Sequence, residues 1–169
     1  VELEGREVLN FSSNDYLGLA NHPALKEVAV EGIKKFGTGA GAARLISGSQ
    51  SPHHELERAL AAFKGTEAAL AFSSGYAAAL GTIPALVGQG DVVVLDKLVH
   101  ASLVDAAKLS GAKLRVCKHN DLADLARILE WATGDGGRTL VVAESVYSMD
   151  GDLAPLLNLV QLKEKHGAW

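Results

Sequence analysis

Cysteine is almost absent: Cys117 is the only one in 169 residues. An internal disulfide framework is therefore excluded, and the composition suits a reducing cytoplasm. Cys117 closes the apolar run LRVC, which reads as a buried strand position and not as a reactive thiol. Excess positive charge is missing too. The formal net charge is −4 with both signs interspersed, leaving no basic footprint for nucleic acid and no polybasic patch for a membrane surface. No apolar run reaches the roughly 18 residues that cross a bilayer. The G-x-S-x-G elbow, the P-loop and H-E-x-x-H do not occur, which removes the commonest hydrolase, nucleotide-hydrolysing and zinc-protease readings. His53, His54, Glu55 and Glu57 are close in sequence, but adjacent helical residues point about 100° apart and share no ligand face. No metal is expected. Internal repeats and low-complexity tracts are absent as well.

What is present is an apolar, glycine-punctuated chain, 48% hydrophobic with a mean hydropathy of +0.14. That composition fits a soluble α/β domain with room for a real core. A strand-like EVLNF leads into the turn-rich SSNDYLGL. Asn21 is placed to cap a helix through HPALKEVAVEGIKKF, with Pro23 in its first turn and Gly37 at its end. GTGAGAARLISGSQ is too glycine-rich for a regular element and too apolar for a linker. Ser51 and Pro52 then open a second helix carrying Leu56, Leu60 and Phe63.

After Gly65 short apolar runs alternate with helical patterns. The spacing predicts strands over 68–72, 92–95, 113–117 and 139–144, and helices over 76–86, 100–110, 121–132 and 155–166. Such alternation argues for a mainly parallel, doubly wound sheet between helix layers, an α/β αβα sandwich. Gly134, Gly136 and Gly137 mark a surface loop. The last helix should hand over to a further strand, of which Ala168 and Trp169 alone remain, leaving a sheet edge unpaired. With Val1 in place of Met, the chain reads as a piece of a longer protein.

In open α/β sheets ligands sit beyond the carboxyl ends of strands, where helices begin. Two crossings of that kind carry polar residues. At Ser73, Ser74, Gly75 and Tyr76 a strand turns into a helix, where free N–H groups and the helix dipole favour an anion such as phosphate. An ordinary turn with a serine cap fits the same residues. At DVVVLDKLVHASLV, His100 stands at a helix start, either as a capping residue or as a flat ring stacked on a planar ligand. A flat ring near a phosphate cradle suggests a flat, phosphorylated ligand. VVAESVYSMDGD adds Glu144 and Ser148 near the same crevice, followed by a structural turn at Asp150, Gly151 and Asp152. GTGAGAA has a relaxed dinucleotide spacing but follows a helix, whereas that fingerprint follows a strand.

The stretches NFSSNDYLGLANHP, FGTGAGAARLISGS, ELERALAAFKGTEAALAFSSGYAA, DKLVHASLVDAAKLSGAK, HND and ESVYSMDGD, in this order, resemble the α-oxoamine synthase family of pyridoxal-phosphate enzymes. The resemblance covers almost the whole chain. It implies the aspartate-aminotransferase-like fold (fold type I), a homodimer, and condensation of a small amino acid with an acyl thioester with loss of carbon dioxide. It further implies cofactor contacts at Ser74, Gly75 and Tyr76, a pyridine ring stacked on His100, and Glu144 and Ser148 in the same pocket. It places Asn14 towards the substrate carboxylate. RLISGS and SSGY resemble members that use L-alanine and a pimeloyl thioester, carried on coenzyme A or a carrier protein. Glycine-using synthases remain the alternative, as does a non-catalytic half-protein that needs a partner chain. By the same resemblance, residues 1–18 form an N-terminal segment and 19–169 an incomplete cofactor-binding major domain. The resemblance further implies that the Schiff-base lysine falls outside the chain; Lys97 is no substitute, since it precedes His100 on the wrong side of the strand-end turn. These residues alone are expected to be inactive.

Overall fold

The computed structural model describes residues 1–134 and 136–169. The chain forms two compact units, Val1–Ala69 and Leu70–Trp169.

In the first unit, β1 (Glu2–Leu3) and β2 (Arg6–Glu7) form a short antiparallel hairpin. Of the strand expected over EVLNF only Glu7 lies in β2; Val8 still exchanges backbone hydrogen bonds with Val1 at 2.8 and 3.0 Å, and the chain leaves the ladder after it. Helix α1 (Pro23–Phe36) is capped by His22, not by Asn21. The ring of Pro23 forces the preceding residue out of the helical region, so the boundary falls on His22, which is extended. The glycine-rich stretch does contain a regular element, a π-helical turn at Arg44–Gly48. It is feasible because Gly48 has no side chain: a Cβ there would overlap the carbonyl of Ala42. The Arg44 guanidinium holds the turn to helix α2 (Ser51–Lys64) through a bidentate pair with Glu57. His53 Nδ1 accepts the Gln50 N–H at 3.1 Å, closing the start of α2.

The second unit is a three-layer α/β sandwich. Its elements are α3 (Gly75–Leu86), β3 (Val92–Asp96), α4 (Ala101–Leu109), β4 (Lys113–Cys117), α5 (Leu122–Thr133), β5 (Thr139–Val142) and α6 (Leu156–Lys165). The three strands are parallel in the order β4-β3-β5. Central β3 is buried on both faces, as its uninterrupted apolar run requires. Val93 and Leu95 face the core shared with Ile83, Val87, Ala106 and Ala107 of the α3–α4 side. Val92 and Val94 face Leu125, Ile128 and Leu129 of α5. Each such large apolar side chain contributes about 1.5–3 kcal/mol on burial.

Strand starts are fixed by one carboxylate. Asp91 accepts the N–H of Gly88 at 2.9 Å and that of Arg138 at 2.8 Å, and pairs with the Arg138 guanidinium at 3.1 Å. Those bonds, the backbone ones foremost, hold its carboxyl below the usual range. Gly137 is more than a loop glycine, since a Cβ on it would overlap the carbonyl of Gly90.

Two strand expectations need correction. No strand forms over 68–72, which stays irregular up to the cap of α3: a short apolar run sets a strand tendency, but the sheet of this unit is β4-β3-β5. Strand β5 ends at Val142, two residues early, because the chain then turns aside to deliver Glu144. At the outer edge of β5, which the sequence leaves unpaired, Trp169 donates its N–H to Thr139 at 2.9 Å. Its carbonyl accepts from Val141 at 2.7 Å.

Candidate functional site

The connection leaving β3 runs through α4 on one face of the sheet, while that leaving β5 reaches α6, packed with α5 on the other. Loops that part in this way open a crevice between the carboxyl ends of the two strands, the usual ligand position in doubly wound sheets. His100 and Glu144 meet there. His100 is the N-cap of α4, and its backbone N–H donates to Glu144 Oε2 at 2.7 Å. The His100 ring is fixed by its own helix: Ser102 N–H donates to Nδ1 at 3.2 Å, and the Ser102 hydroxyl lies 2.8 Å from the same nitrogen. Because Nδ1 accepts, the ring proton sits on Nε2, which leaves a donor on an exposed, oriented ring. The ring itself thus serves as the cap of α4.

Helix α3 supplies the second part. Ser74 caps it, its hydroxyl accepting the Ala77 N–H at 3.1 Å. That bond and the one from Ala78 to the Ser74 carbonyl use the inner amides of the first turn. The Gly75 and Tyr76 amides stand at the positive end of the helix. A Cβ at Gly75 would have no neighbour within 4 Å, so approach to this terminus is open. Gly75 also lines one groove together with Val142 and Ala143, the residues that lead to Glu144. The Tyr76 hydroxyl donates to Asp105 of α4 at 3.2 Å, tying the start of α3 to the middle of α4. That carboxylate, by its charge first and the hydrogen bond second, raises the Tyr76 phenol.

Ser148 lies on the exposed turn after β5. Asn14 belongs to the first unit, in a turn where its side-chain carbonyl accepts the Tyr16 hydroxyl at 3.3 Å. Cys117 is buried at the end of β4, with Sγ 3.4 Å from the Leu95 carbonyl, and burial pushes its thiol up to about 11. His54 is engaged locally, 3.2 Å from the Ser49 hydroxyl.

Inspection of the sequence alone misses a cluster at the same strand ends. His119 Nδ1 lies 2.8 Å from Asp96 Oδ1, and Nε2 lies 2.7 Å from Asp152 Oδ2. Both carboxylates raise the His119 ring above the ordinary histidine value, Asp96 foremost. The signal available was the HND stretch itself, whose partners lie 23 and 33 residues away.

The family described as aminotransferase class I and II matches residues 6–169. The chain belongs to that family. Among curated members it is 57% identical over 168 residues to the 8-amino-7-oxononanoate synthase of Geobacter sulfurreducens, covering 99% of this chain and 43% of that one. It is 55% identical over 166 residues to the enzyme of the same name from Geotalea daltonii, covering 98% and 42%. Among solved family structures, Sphingomonas wittichii serine palmitoyltransferase superposes with a TM-score of 0.91 at 37% identity, over 98% of this chain and 41% of that one. The 8-amino-7-oxononanoate synthase of Francisella tularensis gives 0.76 at 32% identity, over 90% and 41%. A serine palmitoyltransferase of S. paucimobilis solved with bound pyridoxal phosphate and myriocin gives 0.88 at 40% identity, over 91% and 40%. The resemblance to α-oxoamine synthases and the fold-type-I α/β architecture are borne out. The chain spans about 42% of the length of the curated relatives it matches. No helix among the described residues is long and apolar enough to cross a membrane.

Proposed function

We propose that the protein to which these residues belong is a pyridoxal-phosphate-dependent C-acyltransferase. It condenses L-alanine with a pimeloyl thioester, on coenzyme A or a carrier protein, to 8-amino-7-oxononanoate and carbon dioxide, a step of biotin biosynthesis. The observation that carries this reading is the meeting of His100 and Glu144 beyond the ends of β3 and β5, with the open start of α3 at Gly75 lining a groove that reaches Ala143. It offers a flat ring and an open helix N-terminus, the donor set a planar phosphate ester requires.

In this reading the Gly75 and Tyr76 amides hold the phosphate, while Ser74 keeps the first turn of α3 in shape. His100 stacks on the pyridine ring and offers Nε2–H towards substrate. Glu144 fixes the His100 main chain, Ser148 lies near the phenolic oxygen, and Asn14 approaches the substrate carboxylate. Bound there, the cofactor supplies the electron sink for decarboxylative carbon–carbon bond formation. Residues 19–169 belong to the cofactor-binding major domain and 1–18 to an N-terminal segment, in a cytoplasmic homodimer.

A serine-using synthase is the second reading, favoured by the closer superposition on serine palmitoyltransferase. Turnover of the full-length, cofactor-loaded protein with alanine, glycine and serine separates them. Alanine-dependent release of carbon dioxide with a pimeloyl thioester is the expected result. Dominant use of glycine or serine would overturn the assignment.

A further inference from the structure

We propose that His119, as an imidazolium, positions the turn 147–152 by bridging two carboxylates from different strand ends. Asp96 closes β3, Asp152 follows β5, and the ring nitrogens of His119 lie 2.8 and 2.7 Å from them. A neutral imidazole carries one donor and one acceptor. Two carboxylates, one on each nitrogen, therefore need both nitrogens protonated. Asp96 is committed as an acceptor, since it takes the N–H groups of Leu98 at 2.8 Å and Asn120 at 2.9 Å. Asp152 Oδ2 also accepts the Asn120 side-chain amide at 2.8 Å, while its buried Oδ1 has no partner among the described residues. The side chain of Asp152 is thus held at one oxygen, by His119 and Asn120 together.

The rest of the turn is built on that anchor. Tyr147, 1% exposed, packs edge-on to the His119 ring with centroids 4.5 Å apart. Its N–H donates to the Asp152 carbonyl at 3.0 Å, and its carbonyl accepts from Gly151 at 2.8 Å. Ser148 rides on the segment so closed. The titratable groups around the ring are Asp96 from β3, and Tyr147 and Asp152 from the turn. Asp121 caps α5, and Asp124 is occupied by the Lys118 N–H and Arg127. With the ring raised by its two carboxylates, the brace is complete below the ordinary histidine value and is lost as pH rises through the raised one. Its effect on Ser148 rests on the cofactor site proposed above; the brace itself does not.

The test uses the full-length protein, cofactor-free and cofactor-loaded. Long-range proton–nitrogen spectra report the protonation of the His119 ring, and amide exchange at Tyr147 and Gly151 reports the turn. The expected result is a doubly protonated ring at pH 7. Exchange at both amides, corrected for its intrinsic pH dependence, should then rise about tenfold or more as the ring titrates. The Leu95 amide in the core should not follow. His119→Gln should show the fast exchange at every pH, and Asp152→Asn should lower the ring's titration while leaving the sheet intact. A singly protonated ring at pH 7, or exchange that stays flat through the titration, would overturn the proposal. Both readouts present in a protein that binds no cofactor would keep the brace and remove the cofactor reading.

Discussion

Cys117 shows how far a single residue can be read from its neighbours. Its apolar run predicts burial, and the structure places Sγ against the Leu95 carbonyl with the thiol raised to about 11. Thiolate is therefore scarce at neutral pH. Labelling of the native protein with a thiol reagent at pH 8 should run at least about a hundredfold slower than labelling of a free cysteine, and recover on unfolding. Rapid native labelling would contradict the burial. His100 was equally legible as a residue at a helix start, because strand, break and helix follow one another in sequence. Glu144 was placed near the same crevice from sequence, but the hydrogen bond that joins the two across 44 residues required the sheet order. The same holds for His119, whose two carboxylates come from separate strand ends and leave no local pattern.

Elements with a one-sided or uninterrupted apolar pattern were the most legible. β3 and β4 fall where their apolar runs place them, because β3 is buried on both faces and its neighbours follow from it. α5 is predicted within one residue at each end, since Asp121 caps it and Leu125, Ile128 and Leu129 share one buried face. Removing most of one of those side chains leaves a cavity against the sheet. Leu129→Ala should lower the unfolding free energy of the full-length protein by about 2–5 kcal/mol in denaturant titrations. A loss well under 1 kcal/mol would mean that α5 does not pack as described. The failures have local causes. The stretch 68–72 carries a strand's composition yet joins no strand of the sheet β4-β3-β5, and Pro23 moved the cap of α1 from Asn21 to His22. The π turn at Arg44–Gly48 depends on a backbone approach that only Gly48 allows, and no periodicity announces it.

At the scale of the whole molecule, the doubly wound order β4-β3-β5 is what makes a site from scattered residues. Opposite connections from β3 and β5 open the crevice, α3 brings its N-terminus to the adjoining groove, and His119 fastens the turn that follows β5. The α/β class and a crevice at the strand ends were readable from strand–helix alternation, whereas the strands that flank it required their order. The most direct test of the account is a titration of cofactor-free full-length protein with pyridoxal phosphate, followed by absorbance, for the native chain and for His100→Ala. The account expects saturable binding of one cofactor per chain, with affinity about tenfold weaker once the stacking ring is removed. Absence of binding by the native chain, or equal affinity in the two proteins, would contradict it.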